Sequence, residues 1–395
     1  MVKNPDVAEL KASVTASVEA QRRQLRNLSL KIHSHPELGF QEVKAAGWLA
    51  QYLEKNGFSV ERGICELETA FRGSYGEGRP AIALLAEYDA LPQLGHACGH
   101  NLIAGGSVGA AVAARAAIDR FGGSVQVIGT PAEELYGGKV TMVERGVFDS
   151  LDAAMMVHPG SHNGAVTPTL ACIALEVEFF GHSSHAAGHP EAGINALEAM
   201  LLSFTATNSL RQHIKDKARI HGIITDGGEA ANVVPAHSAG NFLVRAEDDA
   251  YLDELKERVI DCFVGGATAT GARLEYRWGE IRYAPMRNNL TLARLFRQNM
   301  QSIGRRMPLS DPERSFGSTD MGNVSQVVPG IHPGVAIAPP EVVNHSPEFA
   351  LAAASETGIN GMIDAAKAMA MTIVDLVASP ETMTKVKREF GKKNG

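Results

Sequence analysis

The sequence predicts an α/β fold, a mixed and mainly parallel sheet with helices on both faces, interrupted by an inserted α+β domain. Three observations predict it. Short apolar runs alternate with helix-period segments over residues 1–170, the rhythm of a layered α/β unit. Between 171 and 285 the order changes to β-α-β-β-α-β, which forms a compact unit of its own. The 395 residues also exceed what one hydrophobic core organises, so two domains are the starting expectation.

Residues 7–33 carry apolar side chains at helical spacing (Val7, Leu10, Val14, Val18, Leu25, Leu28) with basic residues late, so the chain opens on a helix. A second helix is expected over 41–56. Gly57, able to take the left-handed conformation, ends it. Strands follow at 58–62, 70–74, 81–87, 125–130 and 153–157, with helices at 103–121 and 138–145 between them. In sheets of this kind ligands collect beyond the carboxyl ends of the strands. The inserted segment reads strand 171–180, helix 194–214, strands 218–225 and 238–246, helix 251–268 and strand 273–283. That is the ferredoxin-like arrangement, two helices on one sheet face and the other face free for a partner. Helix 292–303, strand 335–338 and helix 356–377 rejoin the first domain, which therefore comprises 1–170 and 286–395 around an insertion at 171–285.

Composition narrows the function. A net charge of −7, from 44 acidic and 37 basic side chains, gives no reason to expect nucleic acid or an anionic membrane as partner, and favours a small-molecule substrate. Residues 1–10 lack the basic-then-apolar pattern of a signal peptide, and no unbroken apolar run reaches bilayer length, so the expected setting is the cytoplasm. Cys65, Cys98, Cys172 and Cys262 lie far apart, unlike a secreted disulfide scaffold, and are expected to be reduced. All but Cys98 sit in apolar or amphipathic runs, where a thiol acts as a small hydrophobe. Gly105-Gly106-Ser107-Val108-Gly109 matches neither a dinucleotide fingerprint nor a P-loop and falls inside a helix, where small residues permit close packing.

Four segments carry chemistry. In Gly95-His96-Ala97-Cys98-Gly99-His100-Asn101, thiolate and imidazole at alternate positions suit one borderline-soft cation; the same residues could instead cap the helix start. Glu133-Glu134 ends an apolar strand, where one carboxylate can bind metal while the other moves protons, or both form a solvated turn. His158 ends another apolar run and His345 follows a third. A single strand-end histidine is common without any function; the conjunction is what carries weight.

With Ile32-His33-Ser34-His35-Pro36-Glu37-Leu38-Gly39-Phe40, Asp89-Ala90-Leu91-Pro92, Gly181-His182-Ser183-Ser184-His185-Ala186 and Ala231-Asn232-Val233-Val234-Pro235, these segments resemble the aminoacylase and carboxypeptidase family of dinuclear metallopeptidases. The resemblance runs from about His33 to Ala368 and is to the amidohydrolase branch, with its p-aminobenzoyl-glutamate, hippurate and indole-acetyl amino-acid hydrolases and β-alanyl-lysine dipeptidase. It implies cleavage of an N-acyl or N-aroyl amino acid, or of a small dipeptide, with a bridging water as nucleophile. It implies two divalent ions, zinc or manganese with cobalt as a further option, on Cys98, His100, Glu134, His158 and His345. Glu133 would be the general acid and base, and Asp89 would orient a histidine ligand. The inserted domain would be a lid and dimerisation domain. Its His185, with Asn232 nearby, would stabilise the oxyanion, in many relatives across a homodimer.

Arg245 is placed to clamp a substrate carboxylate, or to make a surface salt bridge. Ser318 and Thr319 fall in a loop, Gly317 to Gly322, that resembles the family's substrate-side loop, with Thr319 where many members carry an acid. Asn101 stands where hippurate-type members commonly carry aspartate, so charge around the metals or the helix start should shift. Competing readings are a metal-dependent deaminase or deacetylase on the same scaffold, and a binding module that has lost its metals.

Overall fold

Residues 5–310 and 317–392 are described by the computed structural model. The chain forms two units, one from the described residues of 1–168, 286–315 and 323–395, the other from those of 169–285 and 316–322. The first unit begins α1 (Pro5–His33), α2 (Val43–Lys55), β1 (Ser59–Arg62), β2 (Phe71–Glu77), β3 (Ala81–Ala86) and α3 (His100–Phe121). It continues β4 (Gly123–Gly129), α4 (Glu133–Tyr136), α5 (Gly138–Glu144), β5 (Ala153–Met155) and β6 (His158–Gly160). Its sheet has the order β1-β2-β4-β3-β5, extended at the β5 edge by β11 (Gly330–Ile331). β3, β4, β5 and β11 are mutually parallel, whereas β2 runs antiparallel to both β1 and β4. β3 is buried at every position, which is why its sequence Ala-Ile-Ala-Leu-Leu-Ala shows no alternation.

α3 is the core helix of this unit. Its length and composition alone would suit a membrane span, but 83% of its most apolar stretch is buried within the fold, as in the core helix of a globular unit. Its small residues permit close helix packing. A Cβ on Gly109 would lie 2.5 Å from Leu25 of α1, and one on Gly105 2.5 Å from the sulfur of Met362. Asn101, buried in the first turn, donates to Ser29 Oγ of α1 at 2.9 Å and to the Ala353 carbonyl at 3.0 Å. The amide is thus used as a helix-junction donor, a task a carboxylate could not perform.

The second unit has the order β7 (Ala171–Phe180), α6 (Ala196–Leu210), β8 (Arg219–Asp226), β9 (His237–Ala246), α7 (Asp249–Thr270) and β10 (Arg273–Tyr283). Its sheet is antiparallel throughout, in the order β10-β7-β9-β8. Leu175, Val177 and Phe179 of β7 enter the core with Met200 of α6 and Phe263 of α7, while Glu176 and Glu178 face outward. Asn195 and Asp248 cap the two helices, each side chain accepting a backbone N–H of the first turn.

The chain continues through α8 (Leu290–Ser302), α9 (Met321–Val327), β11, β12 (Gly334–Ala336), α10 (Pro347–Ala353), α11 (Glu356–Val377) and α12 (Pro380–Gly391). β12 pairs in parallel with β6. The spans of β7, β10 and α11 agree with those expected from the sequence; β6, β11, α4, α9, α10 and α12 are additions to them.

Candidate metal centre

The parallel strands deliver the site. β3 leads into Glu87-Tyr88-Asp89, β4 into the turn carrying Glu133 and Glu134, and β5 into His158 at the start of β6. Backbone strain marks two of these positions: Ala132 has φ +61° and His345 has φ +65°, a region costly for residues with a side chain. Each is held. The Ala132 N–H donates to the buried Glu42 carboxylate at 2.8 Å, and the His345 N–H to the Ala97 carbonyl at 2.9 Å. Gly99 (φ +79°) lets the 95–100 loop turn into α3; a Cβ there would lie 2.5 Å from Pro159.

Asp89 organises the centre. One carboxylate oxygen accepts from His100 Nδ1 at 2.9 Å and the other from the Glu134 backbone N–H at 3.0 Å. The Nδ1 proton is thereby fixed, leaving the Nε2 lone pair for a cation. His158 is held likewise, with Nδ1 2.6 Å from the Pro159 carbonyl and Nε2 3.4 Å from Cys98 Sγ. Glu134 spans the other histidines, Oε1 3.8 Å from His100 Nε2 and Oε2 3.4 Å from His345 Nε2. Cys98, His100 and His158 bring one donor atom each within 4.8 Å of one another, and so do Cys98, Glu134 and His345, the two sets sharing Cys98. Glu133 forms a third such group with His100 and Glu134.

These residues fit a metal. His100 Nε2 and Glu134 Oε1 are buried without a hydrogen-bond partner, a costly arrangement unless something else satisfies them. Thiolate, imidazole and carboxylate together suit zinc and comparable divalent ions. Burial and the Glu134 carboxylate push the Cys98 thiol up. Burial also opposes charge on His100, but the Asp89 and Glu87 carboxylates outweigh it and raise its pKa. His96, to which the sequence assigns no role, is buried beside His33 and pushed down to about 3 by that burial, with His100 and His33 adding to the effect.

His185, Asn232, Arg245, Ser318 and Thr319 all belong to the second unit. His185 Nδ1 accepts the backbone N–H groups of Ala187 and Gly188 at 3.2 and 3.0 Å, so its Nε2 carries the ring proton and is a donor. The Asn232 carbonyl accepts from Ala186 N at 3.0 Å, which ties the two motifs together through the backbone. Arg245 Nη1 donates to Ser318 Oγ at 2.9 Å. Thr319 Oγ1 accepts from Met321 N at 3.2 Å, a turn-forming bond at the start of α9.

Three residues at the first unit's site carry no assignment from sequence. Glu87 and Lys139 form a buried ion pair at 2.5 Å, and Glu87 Oε2 lies 3.3 Å from His100 Nε2. His332 follows β11 and packs edge-on against the His158 ring at 5.5 Å. The repeat of His158-Pro159-Gly160 in His332-Pro333-Gly334 was the available signal; the ion pair, between residues far apart in sequence, offered none.

Known proteins are similar to this chain. The mouse Xaa-Arg dipeptidase is 37% identical over 397 residues, covering 96% of this chain and 92% of that protein. One subunit of the p-aminobenzoyl-glutamate hydrolase of Escherichia coli strain K12 is 37% identical over 319 residues, covering 75% of this chain and 66% of that subunit. A dinuclear metal-binding M20 peptidase from Bacillus subtilis shares the fold, with a TM-score of 0.72 at 22% identity over 91% of this chain and 99% of that one. The profile of peptidase family M20/M25/M40 matches residues 83–368, and with the near full-length dipeptidase relative it establishes that the chain belongs to this family.

Proposed function

We propose that this protein hydrolyses the amide bond of an N-acyl or N-aroyl amino acid, or of a small dipeptide. The observation that carries the reading is the convergence of buried, hydrogen-bond-orphaned donor atoms on a set of ligands beside Glu133. Cys98, His100 and His158 would hold one divalent ion and Cys98, Glu134 and His345 a second, zinc or manganese, with cobalt as a substitute. When bound, such ions supply Lewis acidity and a water acidic enough to be activated near neutral pH. Glu133 takes the proton of the attacking water and returns it to the leaving nitrogen. Asp89 keeps His100 in the tautomer that presents Nε2. His185, with Nδ1 occupied by two backbone N–H groups, donates its Nε2 proton to the developing oxyanion.

Arg245 is proposed as the carboxylate clamp for the amino-acid half of the substrate, with Asn232, Ser318 and Thr319 completing that pocket. Ser318 supports the assignment by steadying the guanidinium without neutralising it. The likeness to the mouse Xaa-Arg dipeptidase supports a dipeptide substrate. The inserted unit is proposed as a lid and a homodimer interface; its edge strand β8 exposes Ile223 at 64%, a feature that suits strand-to-strand association. We assign the protein to the cytoplasm on the same reading. A deacetylase or deaminase is the second reading, and the N-acetyl-L-cysteine deacetylase of Bacillus subtilis strain 168, 25% identical over 355 residues, is a relative of that kind.

The test is hydrolysis of p-aminobenzoyl-glutamate, β-alanyl-lysine, hippurate, indole-acetyl-aspartate and N-acetyl amino acids by the wild type and Glu133→Gln. Cleavage that falls by about 10²–10⁴-fold in the variant, with metal content unchanged, is the expected result. Full activity in the variant removes Glu133 from its role; selective release of acetate or ammonia favours the second reading.

A further inference from the structure

The Glu87–Lys139 pair is left over by the mechanism above. Both side chains are completely shielded from solvent. A buried ion pair loses solvation worth several kcal/mol per ion and is compensated only when its remaining lone pairs are also satisfied. Here they are not: Lys139 occupies Glu87 Oε1 at 2.5 Å, while Oε2 has no hydrogen-bond partner. That orphaned oxygen faces another orphan, His100 Nε2, at 3.3 Å. Two donor atoms on one ion, with bonds of roughly 2.1 Å, stand about 3.0–3.4 Å apart in octahedral or tetrahedral geometry. The neighbouring Cys98 Sγ to His158 Nε2 separation, 3.4 Å, is of the same size.

Resting on the metal-centre reading, we infer that Glu87 Oε2 is a further protein ligand to the ion held by Cys98, His100 and His158, and that Lys139 keeps the carboxylate monodentate by holding Oε1. The Glu87 carboxylate places a negative charge beside the ion where Glu87 and His100 have no access to solvent. Lys139 supplies the counter-charge that keeps Glu87 in place while the ion is away.

Cobalt(II) uptake by the full-length, metal-stripped protein tests this, followed by chelator competition and visible absorption. The wild type is expected to bind two equivalents. Glu87→Gln is expected to weaken one of them by about 10–100-fold and to change its absorption band, leaving the other equivalent as it was. The variant replaces the charged partner of the buried Lys139, which endangers its folding, so anomalous diffraction from the cobalt-loaded wild type provides an independent reading. A metal to Glu87 Oε2 distance of about 2.0–2.2 Å is expected. A distance beyond about 3 Å, or unchanged affinity for both equivalents in folded Glu87→Gln, overturns the inference alone. A wild type that takes up no cobalt overturns it together with the metal-centre reading.

Discussion

Glu42 shows how far from the chemistry a single residue can act. It is fully buried at the start of α2, and its carboxylate receives the Ala132 N–H at 2.8 Å and the Thr69 hydroxyl at 3.0 Å. It thereby steadies the strained residue that precedes Glu133. Burial, with the Asp89 charge adding to it, pushes the Glu42 pKa up from 4.5 to about 7. Between those values the folded protein keeps a proton that the unfolded chain releases, so stability falls as pH rises through the window and is greatest below it. Glu42→Gln keeps an acceptor for Ala132 and can donate to Thr69. Urea unfolding at pH 5 and pH 8 should show a flatter pH dependence for the variant, and added stability at pH 8 of up to roughly 3 kcal/mol. An unchanged slope would show that Glu42 stays ionised throughout.

At the scale of elements, the turn between β4 and α5 sets where Glu133 and Glu134 point. It closes on itself, with Gly138 N donating to the Ala132 carbonyl at 3.2 Å, and a Cβ on Gly138 would lie 2.0 Å from the Pro131 carbonyl oxygen. A backbone atom cannot yield as a side-chain tip can. Gly138→Ala should therefore cost about 1–3 kcal/mol in urea unfolding and lower metal affinity in chelator competition by displacing Glu134. Wild-type values for both would mean that the turn tolerates the shift. The same scale explains what can be read from sequence. Long periodic segments such as Ala171–Phe180, Arg273–Tyr283 and Glu356–Val377 declare themselves through their own pattern. β6 and β11, of three and two residues, exist only through pairing with distant partners. α10 and α12 are a different case, because Ser346-Pro347 and Ser379-Pro380 are readable helix starts, cap followed by proline, that a search for apolar periodicity alone misses. The candidate ligands are legible because each follows an apolar strand or lies in the dense 95–101 segment, whereas Glu87 and Lys139 acquire meaning only once the fold brings them together.

For the whole molecule, the proposed activity divides its residues between the two units. The first gathers Cys98, His100, Glu134, His158 and His345 with Glu133 at the carboxyl ends of its parallel strands and in the loops beside them. The second carries His185 as a fixed hydrogen-bond donor and Arg245 braced on Ser318. Parallel strands are covered on both faces, so their ends are where polar groups can collect. The antiparallel sheet of the second unit ends in the edge strand β8, and that edge is where the proposal places contact with a partner. The proposed activity needs the metal set to be filled before Glu133 has an activated water to deprotonate. The most direct measurement is turnover of β-alanyl-lysine and p-aminobenzoyl-glutamate by metal-stripped protein during stepwise return of zinc or manganese. The account predicts no turnover without metal, and a rise with added ion that levels off at two equivalents per chain. Turnover that survives stripping, or none on either substrate with two equivalents bound, would contradict it.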